Sequence, residues 1–332
     1  MSDARSSSAT ATTGTADPVG PYRGRFAPSP SGPLHFGSLI AAVGSYLEAR
    51  TRGGEWLVRI EDLDPPRERP GAADAILATL EHLDLRWDGP ILRQSTRGDA
   101  YQAALDRLAA AGQTFRCACS RAQLTALPQN LRRDPGDELF HPRGCALSPA
   151  AAGTSTACRF RTPDRDVEFM DRVQGWQCAN VARTVGDFVL RRRDGWYAYQ
   201  LAVVVDDAAQ GVTDVVRGAD LLGSTSRQIL LQEALGLPRL TYMHLPLAVD
   251  ESGLKLSKSD DAPALSRERP AAQLVAVLEF LRQGPPVELE GSSPGEVLQW
   301  AIANWRPELF SGMTRGAASG ASVQQATQED RQ

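Results

Sequence analysis

RGRFAPSPSGPLHFGS, residues 23–38, is the stretch that decides the fold. Its first six residues predict a short β-strand, and the Pro- and Gly-rich loop that follows predicts a sharp change of direction. Beyond the loop, Leu39, Val43 and Leu47 recur at helical spacing. A strand, a loop and a helix in this order indicate the first unit of a parallel sheet.

The chain repeats this alternation further on. EWLVRIEDLD predicts a strand with an acidic end, and helices are predicted at 71–84, 98–111 and 224–236. Strand-like runs are DFVLRRRDG (187–195), WYAYQLAVVVDD (196–207) and YMHLPLAVD (242–250), and residues 267–304 indicate two or more helices. The sequence therefore predicts an α/β fold with a Rossmann-like parallel sheet and crossover helices.

Composition divides the chain into segments. The Ser-, Thr- and Ala-rich residues 1–20 predict a disordered tail, and residues 309–332 predict a second one. Between them we expect a Rossmann-like catalytic domain interrupted by an irregular Cys-, Pro- and Arg-containing insertion, followed by a small helical region. The predicted bounds are 21–111 for the first half of that domain, 112–185 for the insertion, 186–260 for the second half and 261–308 for the helical region.

The overall composition excludes several classes of protein. The chain has no apolar run of about 18 residues and no apolar core of a signal peptide near its start, so we expect a cytoplasmic protein without a membrane segment. A net charge of −4 argues against non-specific coating of nucleic acid. Five cysteines, an odd number in a chain without a secretion signal, do not suggest a disulfide framework.

Lysine is almost absent. Of the 36 basic residues only Lys255 and Lys258 are lysines, and they lie three positions apart in the pentad KLSKS. Arginine is a wide planar fork, whereas lysine is a compact point charge, so a position that keeps lysine in an arginine-biased chain indicates a need for the ammonium group. Chance placement is the alternative.

Three motifs follow predicted strands, where ligands bind in open parallel sheets: SPSGPLHFGS, RIEDLDPPRE and KLSKS. The chain has no GxxxxGK[ST] phosphate loop. Phosphates would instead be held by His35 and Ser38, before and at the start of the first helix, together with the two lysines.

The insertion contains Cys117-x-Cys119 and His141-x-x-x-Cys145. Three thiolates and an imidazole form a closed tetrahedral zinc set, although a C-x-C pair is tighter than the usual spacing. The alternative is a group of small buried thiols. Cys158 and Cys178 lie outside this spacing and receive no role.

The stretches RFAPSPSGPLHFGSL, VRIEDLDPPRE and KLSKS together resemble the class I aminoacyl-tRNA synthetases of the glutamyl type. HFGS at 35–38 is similar to their HIGH signature and KLSKS at 255–259 to KMSKS, and the resemblance runs from Arg25 to Ser259. It implies a Rossmann-like class I catalytic domain with a zinc-containing insertion, which activates L-glutamate with ATP and transfers it to a tRNA.

Within that family, three features resemble the shortened glutamyl-Q tRNA(Asp) synthetases, which attach glutamate to the queuosine base of tRNA(Asp). Only 73 residues follow Ser259, too few for a sizeable anticodon-binding region; Ser38 stands where the full-length enzymes usually have His; and the cysteine cluster is similar. The implied partners are ATP, L-glutamate and a tRNA(Asp) carrying queuosine, and we expect a monomer.

The resemblance also implies roles for individual residues. Glutamate would be bound by Arg25, Ser29, Glu61, Tyr199 and Arg217. ATP would be bound by His35, Gly37, Ser38, Lys255, Ser257 and Lys258, of which His35, Lys255 and Lys258 would be catalytic, with Mg²⁺ accompanying the ATP. A structural Zn²⁺ would be held by Cys117, Cys119, His141 and Cys145.

Three alternatives stay open from the sequence. The chain could be a glutamyl-tRNA synthetase that charges a tRNA 3′ end, or a catalytically dead, zinc-containing RNA-binding paralogue. It could also be another HIGH-type nucleotidyltransferase, but that class does not call for the RIEDLD strand or the cysteine cluster.

Overall fold

The computed structural model describes residues 21–130, 139–145, 154–249, 265 and 268–317. The tail predicted at 1–20 lies outside the described residues, as do Lys255, Ser257 and Lys258 of the pentad KLSKS. Among the helices that are described, none is both long enough and apolar enough to cross a bilayer.

Two groups of strands form the central sheet. The first has the order β1 (Arg23–Phe26), β2 (Glu55–Ile60), β3 (Leu92–Arg93), with all three strands parallel. The second has the order β7 (Gly175–Ala179), β6 (Val167–Asp171), β10 (Thr241–Leu245), β9 (Asp214–Gly218), in which only the β6–β7 hairpin is antiparallel. The groups meet where the Thr213 backbone N–H donates to the Arg23 carbonyl at 2.9 Å. The predicted α/β class with a parallel sheet is confirmed.

Helices cover this sheet and extend it at the C-terminal side. They are α1 (Phe36–Thr51), α2 (Ala72–His82), α3 (Gly98–Ala110), α4 (Arg121–Thr125), α5 (Val181–Thr184), α6 (Tyr199–Ala209), α7 (Leu222–Ala234), α8 (Pro270–Phe280) and α9 (Pro294–Asn304). Helix α1 is buried along most of its length, because it lies between the first strands and the C-terminal helices. The helices predicted from the periodicity near 39–47, 71–84, 98–111, 224–236 and 267–304 are confirmed.

The strand predicted at 196–207 is wrong. Residues from Tyr199 onwards form α6, and most of its side chains are buried, including the acidic Asp206 and Asp207. Periodicity cannot distinguish a short apolar run in a buried helix from one in a buried strand, and three consecutive valines favoured the strand.

Strands β4 (Thr114–Cys117) and β5 (Ala157–Phe160) of the predicted insertion form an antiparallel sheet with β8 (Val189–Arg191), which lies beyond the predicted end of the insertion at residue 185. Strands β6 and β7, which also fall within the predicted insertion 112–185, hydrogen-bond instead to the central sheet through β10. The segment is thus shared between two sheets, and the domain bounds stay a prediction.

The first residues of the tail predicted at 309–332 belong to the folded structure. Phe310 is fully buried, and β12 (Arg315–Ala317) pairs in parallel with β11 (Leu247–Val249). Sequence patterns did not predict this strand, because three residues are too few to show a strand periodicity and low-complexity residues follow them. Residues 318–332 lie outside the described part of the chain.

Gly54 separates α1 from β2 and allows the two elements to approach closely. A Cβ at this position would lie 2.3 Å from the carbonyl oxygen of Tyr22, which accepts the first hydrogen bond of β2. We expect Gly54→Ala to lower the free energy of unfolding by about 1–3 kcal/mol, since backbone cannot move aside as a side-chain tip can. Urea denaturation followed by circular dichroism measures the change.

Gly98→Ala is the matched control, because a Cβ at Gly98 meets no atom within 4 Å. This variant should be neutral or slightly stabilising at the start of α3. Equal stability of the two variants would show that the contact with Tyr22 does not constrain the α1–β2 connection.

Candidate active site

The carboxyl ends of β1, β2 and β9 surround two cavities. The first, of about 320 Å³, is lined by the loop before α1 and by residues that follow β9 and β10. The second, of about 340 Å³, is lined by Glu61 at the end of β2 and by Tyr199 at the start of α6. Ser29 lines both cavities, so the two cavities adjoin at this residue. Of the residues predicted to bind ATP, His35, Gly37 and Ser38 line the first cavity.

His35 caps the N-terminus of α1 with its side chain. Its Nδ1 accepts a hydrogen bond from the Ser38 backbone N–H at 3.2 Å, and its Nε2 lies 3.1 Å from Ser38 Oγ. Because Nδ1 accepts, the neutral ring carries its proton on Nε2 and donates it to the serine. His35 and Ser38 are therefore held together by two hydrogen bonds. They lie at the N-terminus of α1, whose partial positive charge faces the first cavity.

Arg25 and Arg59 meet the same carboxylate below the second cavity. Arg25 Nε lies 3.1 Å from Asp207 Oδ1, and Arg59 Nη1 lies 2.6 Å from the same oxygen. Arg59 Nη2 also donates to Glu61 Oε1 at 3.2 Å. The four side chains come from β1, β2, the residue after β2 and α6, and together they form a buried chain of alternating charge.

Burial and charge compete in this chain. Burial opposes ionisation of Asp207, but Arg25 and Arg59 outweigh it and hold the pKa of Asp207 below its usual range. Burial raises the pKa of Glu61, and the same two arginines offset only part of that increase. Asp207 is thus the permanent counter-ion, whereas Glu61 is the carboxylate that gains most from an added cation.

Arg217 at the end of β9 is the second buried guanidinium near the cavities. Its Nη1 donates to the Tyr199 hydroxyl at 3.2 Å, and its Nε donates to His244 Nε2 at 3.1 Å. Its Nη2 donates to Thr225 Oγ1 at 3.0 Å. Burial raises the pKa of Tyr199, so the hydroxyl keeps its proton and can donate it.

Several groups of this cluster have no second partner among the residues that the structure describes. These are the terminal nitrogens of Arg25, one Nη1 proton of Arg217, the hydroxyl proton of Tyr199 and Glu61 Oε2. Guanidinium and hydroxyl donors bind carboxylates, and a carboxylate oxygen binds an ammonium. The arrangement suits a small molecule that carries two carboxylates and one ammonium.

Only one carboxylate of the motif RIEDLD belongs to this cluster. Asp62 accepts from the backbone N–H and the hydroxyl of Ser95, at 2.8 and 2.7 Å. Asp64 pairs with Arg67 and Arg192 at the rim of the second cavity. The motif therefore supplies Arg59 and Glu61 to the buried cluster, whereas its two aspartates bind the structure around it.

Three of the four predicted metal ligands lie together in the insertion. The ligand atoms of Cys117, Cys119 and His141 all lie within 4.8 Å of one another, and all three residues are buried. The side chain of Cys145 lies outside the described residues. The backbone of His141 pairs with Gly186, where a Cβ would lie 1.7 Å from the His141 carbonyl oxygen and where φ is +75°. Only glycine fits there.

The structure thus brings Arg25, Ser29, Glu61, Tyr199 and Arg217 to one region, although their roles stay predictions. Sequence reasoning missed Arg59, Asp207 and His244, which position those residues. The acidic pair that ends the apolar run LAVVVDD was the available signal for Asp207, because a carboxylate inside an apolar segment needs a buried partner.

Comparison of the sequence and the structure with known proteins shows which family they resemble. Residues 22–270 match the family model of the catalytic domain of class I tRNA synthetases for E and Q. A curated protein of Dechloromonas aromatica, "Glutamyl-Q tRNA(Asp) synthetase", is 55% identical over 86% of this chain and 94% of its own length. One of the same name from Ectopseudomonas mendocina is 52% identical over 86% and 93%. A glutamate tRNA ligase from Elizabethkingia meningosepticum, crystallised with its amino acid, superposes with a TM-score of 0.73 at 25% identity, covering 92% of this chain and 68% of its own.

Asp207→Asn tests the counter-ion. Loss of the charge leaves Arg25 and Arg59 side by side in the interior, and we expect the free energy of unfolding at pH 7 to fall by about 3–5 kcal/mol. Because the pKa of Asp207 is lowered on folding, its stabilising effect is complete above its unfolded pKa of about 3.9 and fades as pH falls below that value. The gap between wild type and variant should be equal at pH 7 and pH 5, as measured by urea denaturation.

Asp74→Asn is the control, since Asp74 pairs with Arg93 at the surface. It should change stability by less than about 0.5 kcal/mol. A comparable loss in both variants would mean that Asp207 is not a specific counter-ion.

Proposed function

This chain belongs to the class I tRNA synthetase family of the glutamyl and glutaminyl type, and we propose that it activates L-glutamate with ATP and transfers the glutamate to the queuosine base of tRNA(Asp). The acceptor is supported by the names of relatives that are more than half identical to the chain over most of its length. We further propose that it acts as a monomer in the cytoplasm, where ATP and tRNA are available.

The observation that carries the proposal is the set of uncommitted groups around Arg25, Glu61, Tyr199 and Arg217. L-Glutamate has two carboxylates and one ammonium, which match two guanidiniums, a hydroxyl donor and a carboxylate acceptor. Glutamine would leave part of this buried donor set without an anion, so the site favours glutamate.

The first step joins glutamate to ATP. A glutamate carboxylate oxygen attacks the α-phosphorus, the bond to the β-phosphate oxygen breaks, and glutamyl-adenylate and pyrophosphate result. Ser29, which lines both cavities, marks where the two substrates meet. His35 and the N-terminus of α1 stabilise charge on the phosphates, and we assign Lys255, Ser257 and Lys258, outside the described residues, to the departing pyrophosphate. Mg²⁺ enters as part of the ATP complex.

The second step needs no further cofactor. A hydroxyl of the tRNA attacks the carbonyl carbon of the adenylate, the bond to AMP breaks, and the hydroxyl proton leaves with solvent or a nearby base. Queuosine offers such hydroxyls on its base, and the 3′-terminal ribose offers others. Transfer to a 3′ end is therefore the second candidate, favoured by the structural similarity to a glutamate tRNA ligase.

Pyrophosphate exchange tests the activation step. With wild-type protein, ATP and labelled pyrophosphate, exchange should depend on glutamate without added tRNA. Tyr199→Phe should raise the KM for glutamate about tenfold, because one donor to a carboxylate is lost, while the KM for ATP changes little. Lys258→Ala should abolish exchange.

Absence of exchange in the wild-type protein, both with and without tRNA, would favour the RNA-binding paralogue.

Two altered tRNAs identify the acceptor. Queuosine-containing tRNA(Asp) without its 3′-terminal adenosine should still accept labelled glutamate. An unmodified tRNA(Asp) transcript with an intact 3′ end should not. The reverse result would assign the chain to 3′ charging and overturn the queuosine acceptor.

We also propose that Cys117, Cys119 and His141 hold a structural Zn²⁺, with Cys145 as the fourth ligand. Cys117 Sγ and His141 Nε2 lie 3.2 Å apart, close to the separation of about 3.6 Å that tetrahedral coordination gives. A bound Zn²⁺ would tie β4 to the segment around His141.

Cys119→Ser should reduce the zinc content of the purified protein from about one ion per chain to a small fraction, since a hydroxyl is a poor zinc ligand. Elemental analysis by mass spectrometry measures it. Cys158→Ser, which changes a half-buried cysteine of β5 outside the cluster, should retain the metal. Full zinc content in the Cys119 variant would remove this site.

A further inference from the structure

A buried hydrogen-bonded relay lies behind Arg217, on the side away from Tyr199. His244 Nε2 accepts from Arg217 Nε at 3.1 Å, and His244 Nδ1 lies 2.6 Å from Asp171 Oδ2. Asp171 and His244 are completely buried as side chains, and Arg217 is 5% exposed. The three residues come from β6, β10 and β9, three neighbouring strands of the central sheet.

The partners fix the proton positions in this relay. An arginine N–H can only donate, so Nε2 of His244 must be the unprotonated nitrogen, and Nδ1 must carry the proton that Asp171 accepts. Thr225 Oγ1 lies 3.3 Å from the same Nε2 and accepts from Arg217 Nη2, so its hydroxyl proton is also directed to the ring. Only the neutral Nδ1–H tautomer of His244 satisfies all of these contacts.

The aspartate is itself firmly held. Asp171 Oδ1 accepts from the backbone N–H groups of Val173, Gln174 and His244, at 3.0, 2.8 and 3.2 Å. With Oδ1 occupied in this way, Oδ2 can only face the imidazole. The turn after β6 therefore orients Asp171, which orients His244, which orients the Arg217 guanidinium.

We propose that His244 is a positioning residue for glutamate, which acts by holding Arg217 so that one Nη1 proton and the Tyr199 hydroxyl face the same carboxylate, and that this arrangement requires an unprotonated His244. The proposal rests on the proposed function, because it takes Arg217 as a glutamate-binding residue. It predicts glutamate binding that weakens in acid through a residue that does not touch the substrate.

The charges around His244 agree with this requirement. Asp171 faces it from β6, Arg217 from β9 and Arg25 from β1, while Thr225 of α7 adds a hydroxyl and Tyr242 stacks on the ring from the same strand. Burial lowers the pKa of His244 below its ordinary 6.5, Asp171 opposes the decrease, and Arg217 and Arg25 add to it. A protonated ring would place a third cation beside two arginines and turn the acceptor Nε2 into a donor.

The test compares two substitutions of His244 in pyrophosphate exchange. His244→Leu removes the nitrogen that accepts from Arg217 and should raise the KM for glutamate by about tenfold or more. The kcat and the KM for ATP should stay within about threefold of wild type. His244→Gln places an amide oxygen near the position of Nε2 and should restore the KM to within about threefold. An unchanged KM in the leucine variant, or an equal loss in both variants, would overturn the proposal.

The pH profile adds a readout that a structural role would not change. The wild-type KM for glutamate should be constant above pH 6.5 and rise below it, as His244 takes up a proton. In His244→Gln the rise should disappear, because the amide does not titrate. A rise that persists in this variant would assign the acid effect to another group, such as Glu61, and would contradict the proposal. His82→Gln, which removes an exposed histidine of α2, should keep the wild-type profile.

The tautomer can be observed directly. The chain has four histidines, so ¹⁵N-histidine labelling gives a simple spectrum. The signals of His244 and His82 are assigned by their loss in His244→Gln and His82→Gln. His244 should show a protonated Nδ1 and an unprotonated Nε2 in the wild type, because Asp171 accepts from the first and Arg217 donates to the second. An Nε2–H tautomer in the wild type would overturn the relay even if no glutamate-dependent exchange occurred, so this measurement separates failure of the relay from failure of the proposed function.

Discussion

Asp207 is a single carboxylate on which the arrangement of the site depends. It lies between Arg25 and Arg59, which stand on neighbouring parallel strands and would otherwise bring two buried guanidiniums together with Glu61 as their one remaining ion-pair partner among the described residues. The carboxylate can take this place only if the C-terminal part of α6 lies against β1 and β2. That packing goes together with the position of Tyr199, at the first turn of α6, in the same cavity as Glu61. The Asp207 carboxylate is thus linked both to the packing of α6 and to the position of the Tyr199 hydroxyl.

A second buried carboxylate performs a similar task outside the site. Glu48 of α1 pairs with Arg52 and with Arg172 of the β6–β7 turn, and it accepts from the indole of Trp305 at 2.6 Å. Arg172 also reaches Asp214 at 3.3 Å. Helix α1, the hairpin and the C-terminal region are therefore held by one group. This use of arginine fits the composition, because a guanidinium can donate to several partners at once, whereas an ammonium on a flexible stem does so less directionally.

The strand-loop-helix unit around residue 35, the parallel sheet and the helices with clear periodicity could all be predicted, because each depends on short-range spacing of apolar residues. The residues predicted to bind glutamate also lie near one another, since most of them stand at or near the carboxyl ends of parallel strands, although their roles stay predictions. The failures have the same origin. Helix α6 is buried on nearly all sides, so its apolar run lost the helical period, and β12 is too short to have one.

The sequence by itself determined the fold class, the family resemblance and the chemical types gathered at the strand ends, since motifs and periodicity are local properties of the chain. Only the tertiary structure decided how those groups are oriented. It paired Arg25 with Asp207 across 182 residues and Arg217 with His244 across 27, and it separated Glu61 from the other carboxylates of its motif. The physical reason is that a buried charge or hydrogen-bond donor must find a partner, and the partner that satisfies it is set by which elements pack together and not by their order in the sequence.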